Sequence, residues 1–215
     1  MARPFPILRP GTLCALLLAC VLPACADAQA GSGPRVVRSL AEMRSERVVL
    51  QRWDLSCGAA ALATLLTFEQ DDPVSEREVA LGLMGREEYL ANPMLVRARL
   101  GFSLLDLKRY VDRRGYRGEG FGQLELRDLE ERAPILTPIV QGGFSHFVIF
   151  RGRYRDRVLL ADPAFGTRSM PVEQFERVWA PVPGLGHVGF VVARADGLPP
   201  PDRLRPRAHE FVNLD

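Results

Sequence analysis

The sequence predicts an α+β fold in which helices come first and an antiparallel sheet follows. Three observations carry that expectation. Between residues 57 and 114, apolar side chains recur at helical spacing behind serines suited to helix capping. From Ile135 onward they gather instead into short runs rich in Val, Ile and Phe, separated by turn residues. No internal repeat interrupts this order, and helices followed by strands indicate segregated rather than alternating layers.

The chain has 215 residues and a formal net charge of +2. Its first 30 residues have the features of an export signal. Arg3 and Arg9 flank an apolar stretch, Thr12 to Leu22, and small residues at Ala24, Ala26, Ala28 and Ala30 offer cleavage sites. The stretch is too short for a stable membrane anchor. Leu22-Pro-Ala-Cys25 has the outline of a lipoprotein processing site, with Pro at its second position, and membrane contact is expected only if Cys25 is lipidated. A periplasmic or otherwise exported protein is therefore expected. Residues 31–47, polar with Gly31, Gly33 and Pro34, predict a linker; 48–196 a single domain; and 197–215, with Pro199-Pro-Pro201, a loosely held tail. Acidic and basic residues are interspersed, which argues against a nucleic-acid partner.

Within the domain, Val48-Val49-Leu50 predicts a short extended run. A helix from Cys57 to about Phe68 lines up Ala61, Leu62, Leu65 and Leu66. Ser75-Glu-Arg-Glu78 has the pattern of a capping box and opens a second helix through Leu83. Ser103 precedes a third, Leu104 to Arg114, which Gly115 ends at a left-handed cap. Asp128 to Arg132 is about one helical turn. Strands are predicted at 135–140, 146–150, 157–161 and 189–193, with Gly152 to Asp156 connecting the middle two, and a short helix at Val172 to Trp179.

After removal of the signal, Cys57 is the sole remaining cysteine, so it cannot form an internal disulfide. It begins a helix, where the dipole and free N–H groups favour its thiolate, and Gly58 beside it permits close backbone approach. A nucleophilic thiol needs a base and a group to orient that base. Of the three histidines, His209 lies in the tail, whereas His146 opens a strand and His187 precedes another. If Arg151 to Arg157 connect the hairpin, Phe150 faces Val158 and Val148 faces Leu160. The same register sets His146 directly opposite Asp162, on one face of the sheet. His187 gains no carboxylate from any comparable local placement. Gln51, six residues before Cys57, is placed so that its amide and the Cys57 N–H converge as an oxyanion-binding pair.

Each residue alone has a plainer explanation. Cys57 alone is a small buried side chain, His146 a strand-end histidine, Asp162 a turn former, and Gln51 carries no meaning. Their conjunction changes this, because the order Gln, Cys, His, Asp is the one papain-like thiol hydrolases use. Asp71-Asp72 and Glu87-Glu88 are surface carboxylates on this reading, and Gly82-Leu-Met-Gly85 is a helix end. No cofactor is implied, and three scattered histidines without zinc spacing imply no metal.

At Gln51 to Ala59, His146-Phe-Val-Ile-Phe150 and Leu160-Ala-Asp-Pro-Ala164 the chain resembles the C39 family of bacteriocin-processing, double-glycine peptidases, within the papain-like cysteine proteases. The resemblance covers about Val48 to Ala193. It implies a helical lobe carrying Cys57 and a sheet lobe carrying His146 and Asp162. It also implies Cys57 as nucleophile, His146 as general base and acid, Asp162 as orienting carboxylate and Gln51 as oxyanion donor, acting on a peptide or protein substrate. Two features depart from the family. Ser56 stands where many members have Asp before the cysteine, and an export signal replaces the transporter fusion of cytosolic members. The chain looks more like stand-alone exported C39-like proteins, some of which accompany functional-amyloid secretion systems of the Fap type, which adds a secretion-system partner to the expectations. The alternatives are a catalytically silent C39-like peptide-binding module of a secretion system, or an acyl-transfer enzyme such as a transglutaminase or amidase.

Overall fold

The computed structural model describes residues 39–98 and 101–211. The signal-peptide expectation and the Cys25 site lie outside them. An antiparallel six-stranded sheet, ordered β1-β6-β2-β3-β4-β5, forms the centre. Its strands are β1 (Tyr116–Phe121), β2 (Ile135–Gln141), β3 (Phe144–Tyr154), β4 (Arg157–Asp162), β5 (Gly166–Pro171) and β6 (Gly189–Arg194). Helices α1 to α6, all between Leu40 and Arg113, precede β1, and among the described residues only the α-helices α7 (Leu126–Arg132) and α8 (Val172–Val178) fall later.

Alternation along the strands sorts the core into two layers. Leu136, Ile149, Ala161 and Phe190 face one way, onto α2 (Cys57–Thr64), α3 (Glu76–Met84) and α6 (Leu104–Arg113). Ile135, Val148, Phe150 and Leu160 face the other way, onto Leu129 of α7 and Phe175 and Trp179 of the α8 segment. Helix α2 is buried on every side, as expected of a helix that is apolar all round. It runs on into a π-helical turn, Leu65–Glu69, where the buried carboxylate of Glu69 is pushed up to about 7 by loss of water.

The structure revises several expectations. The predicted linker contains a helix, α1 (Leu40–Ser45). Its Ser39–Glu42 capping box is complete, and the following Glu46 carbonyl accepts from Thr167 Oγ1 at 2.9 Å. The described part of the tail, 197–211, is not loosely held. Leu204 is 0% exposed in the helical-side core, and the buried Arg151 donates to its carbonyl and to Glu210, both at 2.8 Å. Leu204 stands in a polar, proline-rich stretch that gives little warning of this anchor. Strands β1 and β5 are additional. Tyr116-Arg-Gly-Glu-Gly-Phe121 lacks the usual apolar alternation because Gly118 leaves room for Phe190 and Val111, with atoms of both 2.8 Å from where a Cβ would sit. Short helices α4 (Glu87–Ala91) and α5 (Met94–Ala98) also appear.

The β3–β4 hairpin differs in register. Its turn is only Arg155-Asp156, with Arg155 at φ 56°, so Tyr154 pairs with Arg157. Continued unchanged, that pairing would put Asp162 on the face opposite His146. A bulge at Arg151, between Phe150 and Gly152, absorbs one residue and restores parity, pairing Phe150 with Leu160 and Ile149 with Ala161. Asp162 is therefore not directly opposite His146, as expected, but two residues off along the same face, within reach of a diagonal contact.

Candidate active site

Four elements meet at one end of the sheet. Helix α2 brings Cys57, β3 brings His146, the end of β4 brings Asp162, and the loop before α2 brings Gln51. Together with Asp54, Leu55, Gln141, Phe144, Ser145, Ala164 and Phe165, the side chains of Gln51, Cys57 and His146 line a cleft of about 520 Å³.

His146 Nε2 and Asp162 Oδ1 lie 2.7 Å apart, which leaves Nδ1 for the thiol of Cys57, with which the ring is hydrogen-bonded. Phe147 lies beyond the last β3–β4 pair, and its N–H donates to the same sulfur. Burial pushes the Cys57 thiol up. The hydrogen bond and charge of His146, with the N–H groups of Phe147 and Gly58, more than offset this and bring it below its ordinary value. His146 moves the opposite way. Burial would lower it, but hydrogen bonds and charge from Asp162 and Cys57 raise it to about 9. A depressed thiol facing an elevated imidazole favours the thiolate–imidazolium pair at neutral pH, and the titration belongs to the pair.

Asp162 has no exposed side-chain surface. Burial raises its carboxyl, but His146, Arg168 and the Ala164 N–H hold it below the usual range. Oδ1 accepts from the Ala164 and Phe165 N–H groups at 2.9 and 3.3 Å as well as facing the imidazole. Turn former and imidazole partner are thus one atom. Oδ2 pairs with the Arg168 guanidinium at 2.7 Å.

Gln51 is held by its backbone, donating to the Pro163 carbonyl at 2.8 Å. Its side-chain Nε2 makes only a long contact of 3.5 Å with the Trp53 carbonyl, so the amide is weakly committed within its own loop. Buried Glu76, the first residue of α3, braces that loop. Both its oxygens lie 3.0 Å from the Arg52 N–H, and Oε1 is 2.5 Å from Ser56 Oγ. Leu55 is in the left-handed region at φ 65°, an uncommon conformation for leucine and one found where a loop is held for function. Ser56, the departure from the family's Asp, is thus a structural link between this loop and α3.

All four expected residues come together, and His187 does not join them. It lies against Trp179, ring centroids 4.1 Å apart. Sequence reasoning missed Glu76 and Arg168. Glu76 was visible only as part of a helix start. Arg168 sits opposite Leu160, on the face of Asp162, but only once β5 is recognised.

Fold and site together define a papain-like protein built around a cysteine–histidine–carboxylate arrangement. The chain belongs to the peptidase C39 family, whose sequence model matches residues 45–183. A Pseudomonas aeruginosa protein described as a probable functional amyloid protease, FapD, is 36% identical over 144 residues, covering 66% of this chain and 61% of that relative. A Pseudomonas fluorescens protein of the same description is 34% identical over 143 residues, with the same coverage. The matched region thus spans about 61% of the length of these curated relatives. Among solved structures, a double glycine motif protease from an AMS/PCAT transporter, in complex with the leader peptide, aligns with a TM-score of 0.53 at 21% identity, covering 68% of this chain and 90% of that one. The peptidase domain of Streptococcus ComA aligns with a TM-score of 0.53 at 15% identity, covering 68% and 97%. At these identities the likeness concerns the fold.

Proposed function

We propose that the protein is an exported cysteine endopeptidase that cleaves a secreted partner of a functional-amyloid system. The observation that carries the chemistry is the 2.7 Å His146–Asp162 contact behind an imidazole hydrogen-bonded to Cys57. The Cys57 thiolate attacks the peptide carbonyl carbon, and the displaced electron pair moves onto oxygen. The Cys57 N–H and the Gln51 amide stabilise that oxyanion, a donor worth about 2.7–4 kcal/mol in comparable sites. His146 gives its proton to the departing amine, leaving a thioester on Cys57. Water, deprotonated by His146, then releases the acid product and restores the thiolate. The export features at the N-terminus and the descriptions of the Pseudomonas relatives support the cellular setting and the substrate class.

The test is incubation of the exported protein with the amyloid-forming subunit it accompanies, read by mass spectrometry. Discrete internal fragments are expected from the untreated protein, and none after Cys57 is alkylated with iodoacetamide. The same fragments from alkylated protein would contradict the mechanism. Tight binding without fragments from either form would favour a peptide-binding module.

A further inference from the structure

The geometry points to Arg168 as a positioning residue that joins the carboxylate behind the imidazole to the hairpin walling the cleft. This inference rests on the peptidase reading of the site. A single nitrogen of Arg168, Nη2, lies 2.7 Å from Asp162 Oδ2 and 2.9 Å from Gln141 Oε1. The guanidinium also sits over the Phe165 ring, 5.1 Å from its centroid. Three parts of the site thus converge on one side chain that is 23% exposed: the buried carboxylate, the end of β2 and an aromatic wall of the cleft.

The two contacts do different work. Asp162 uses Oδ1 for the imidazole and for the turn N–H groups, so without Arg168 its other oxygen would be a buried anion with no partner. A planar, permanently charged guanidinium neutralises it without competing for Oδ1. The second contact steadies the β2–β3 turn. Gly142 and Gly143 adopt φ of 59° and 83°, a two-glycine turn that carries little stiffness of its own. Gln141 pairs with Phe144 across that turn. Phe144, 70% exposed, and Ser145 then line the cleft immediately before His146. Fixing Gln141 therefore fixes the approach to the imidazole.

Charge sets the expected sign. His146 faces the Cys57 thiol directly; Asp162 lies behind the ring, Arg168 beyond it, and Asp54 on the cleft wall. Removing the guanidinium takes one positive charge from this group and leaves Asp162 easier to protonate. Both changes weaken the thiolate.

The experiment reads the rate of Cys57 alkylation by iodoacetamide against pH, together with amide hydrogen exchange at residues 141–145. Arg168→Met should move the alkylation midpoint up by roughly 0.5–1 pH unit and speed exchange in the hairpin turn. Arg168→Lys, which keeps the charge, should return the midpoint most of the way to wild type. A merely structural role would lower melting temperature without moving the midpoint, and would not distinguish Lys from Met. If Met at 168 prevents folding, Arg168→Gln is scored by the same midpoint. A depressed wild-type midpoint that neither Met nor Gln shifts overturns the role of Arg168 and leaves the peptidase reading standing. A wild-type thiol that titrates as an ordinary cysteine overturns both.

Discussion

Asp162→Asn should slow cleavage about 10²–10⁴-fold, the range over which proton transfer by a correctly oriented imidazole contributes to catalysis. It should also lower stability by about 1–3 kcal/mol, the cost of a buried polar group left with the wrong partner. Asparagine matches the carboxylate in size and fails in hydrogen bonding. With its oxygen toward the Oδ1 side it still accepts from Ala164, Phe165 and the imidazole, but its NH₂ then meets the Arg168 guanidinium, donor against donor. With its oxygen toward Arg168, the NH₂ faces two backbone N–H groups and His146 Nε2. The imidazole can then accept there only by carrying its proton on Nδ1, the wrong tautomer for taking the thiol proton. Loss of the carboxylate charge also removes a main reason His146 is elevated to about 9. Steady-state cleavage and thermal unfolding of the variant check both parts. Wild-type turnover by Asp162→Asn would mean that His146 needs no carboxylate behind it.

Glu76→Ala should lower kcat/KM about 10–100-fold, since a displacement near 1 Å in a positioned group costs on the order of 10²-fold. Its carboxylate is the only side-chain acceptor recorded for the Arg52 N–H among the described residues, and it also binds Ser56 Oγ. Alanine leaves the Arg52 donor without that partner. Ser56 still has the Trp53 carbonyl at 2.6 Å, so the helix start should hold while the Gln51 side of the loop loosens. The loss should therefore fall mainly on kcat, where oxyanion binding acts, rather than on KM. Glu76→Gln keeps an oxygen acceptor and should recover most of the rate. Destabilisation by Glu76→Ala at unchanged kcat/KM would show that the carboxylate supports α3 alone.

The parts of the site legible in the sequence are those set by local chemistry. Cys57 behind a loop and ahead of an Ala/Leu helix, and His146 and Asp162 on adjacent strands, follow from residue type and spacing. The pairing of His146 with Asp162 was anticipated through a register off by two residues. Parity alone decides the face, so an even error leaves the contact possible and moves it from direct to diagonal. The true register depends on a glycine-free turn at Arg155-Asp156 and a bulge at Arg151, and neither carries a distinctive sequence signal. Arg151 itself shows why. The bulge turns a charged side chain inward to hold Leu204 and Glu210, contacts about 55 residues away in the chain that no local pattern encodes. The same holds for Arg168 on a polar edge strand and for Glu76 beneath the loop. Each acquires its role only when distant segments fold together.

The most direct test of the account is the pH dependence of Cys57 alkylation in the wild type and in His146→Ala. A thiolate held by the imidazolium should react with a midpoint well below about 8.5, the value of a free thiol. His146→Ala should lose that midpoint and move up toward or above the free value, because burial is then opposed only by the Phe147 and Gly58 N–H groups. A wild-type midpoint at or above the free value, unmoved by His146→Ala, would contradict the claim that these two side chains form the reacting pair.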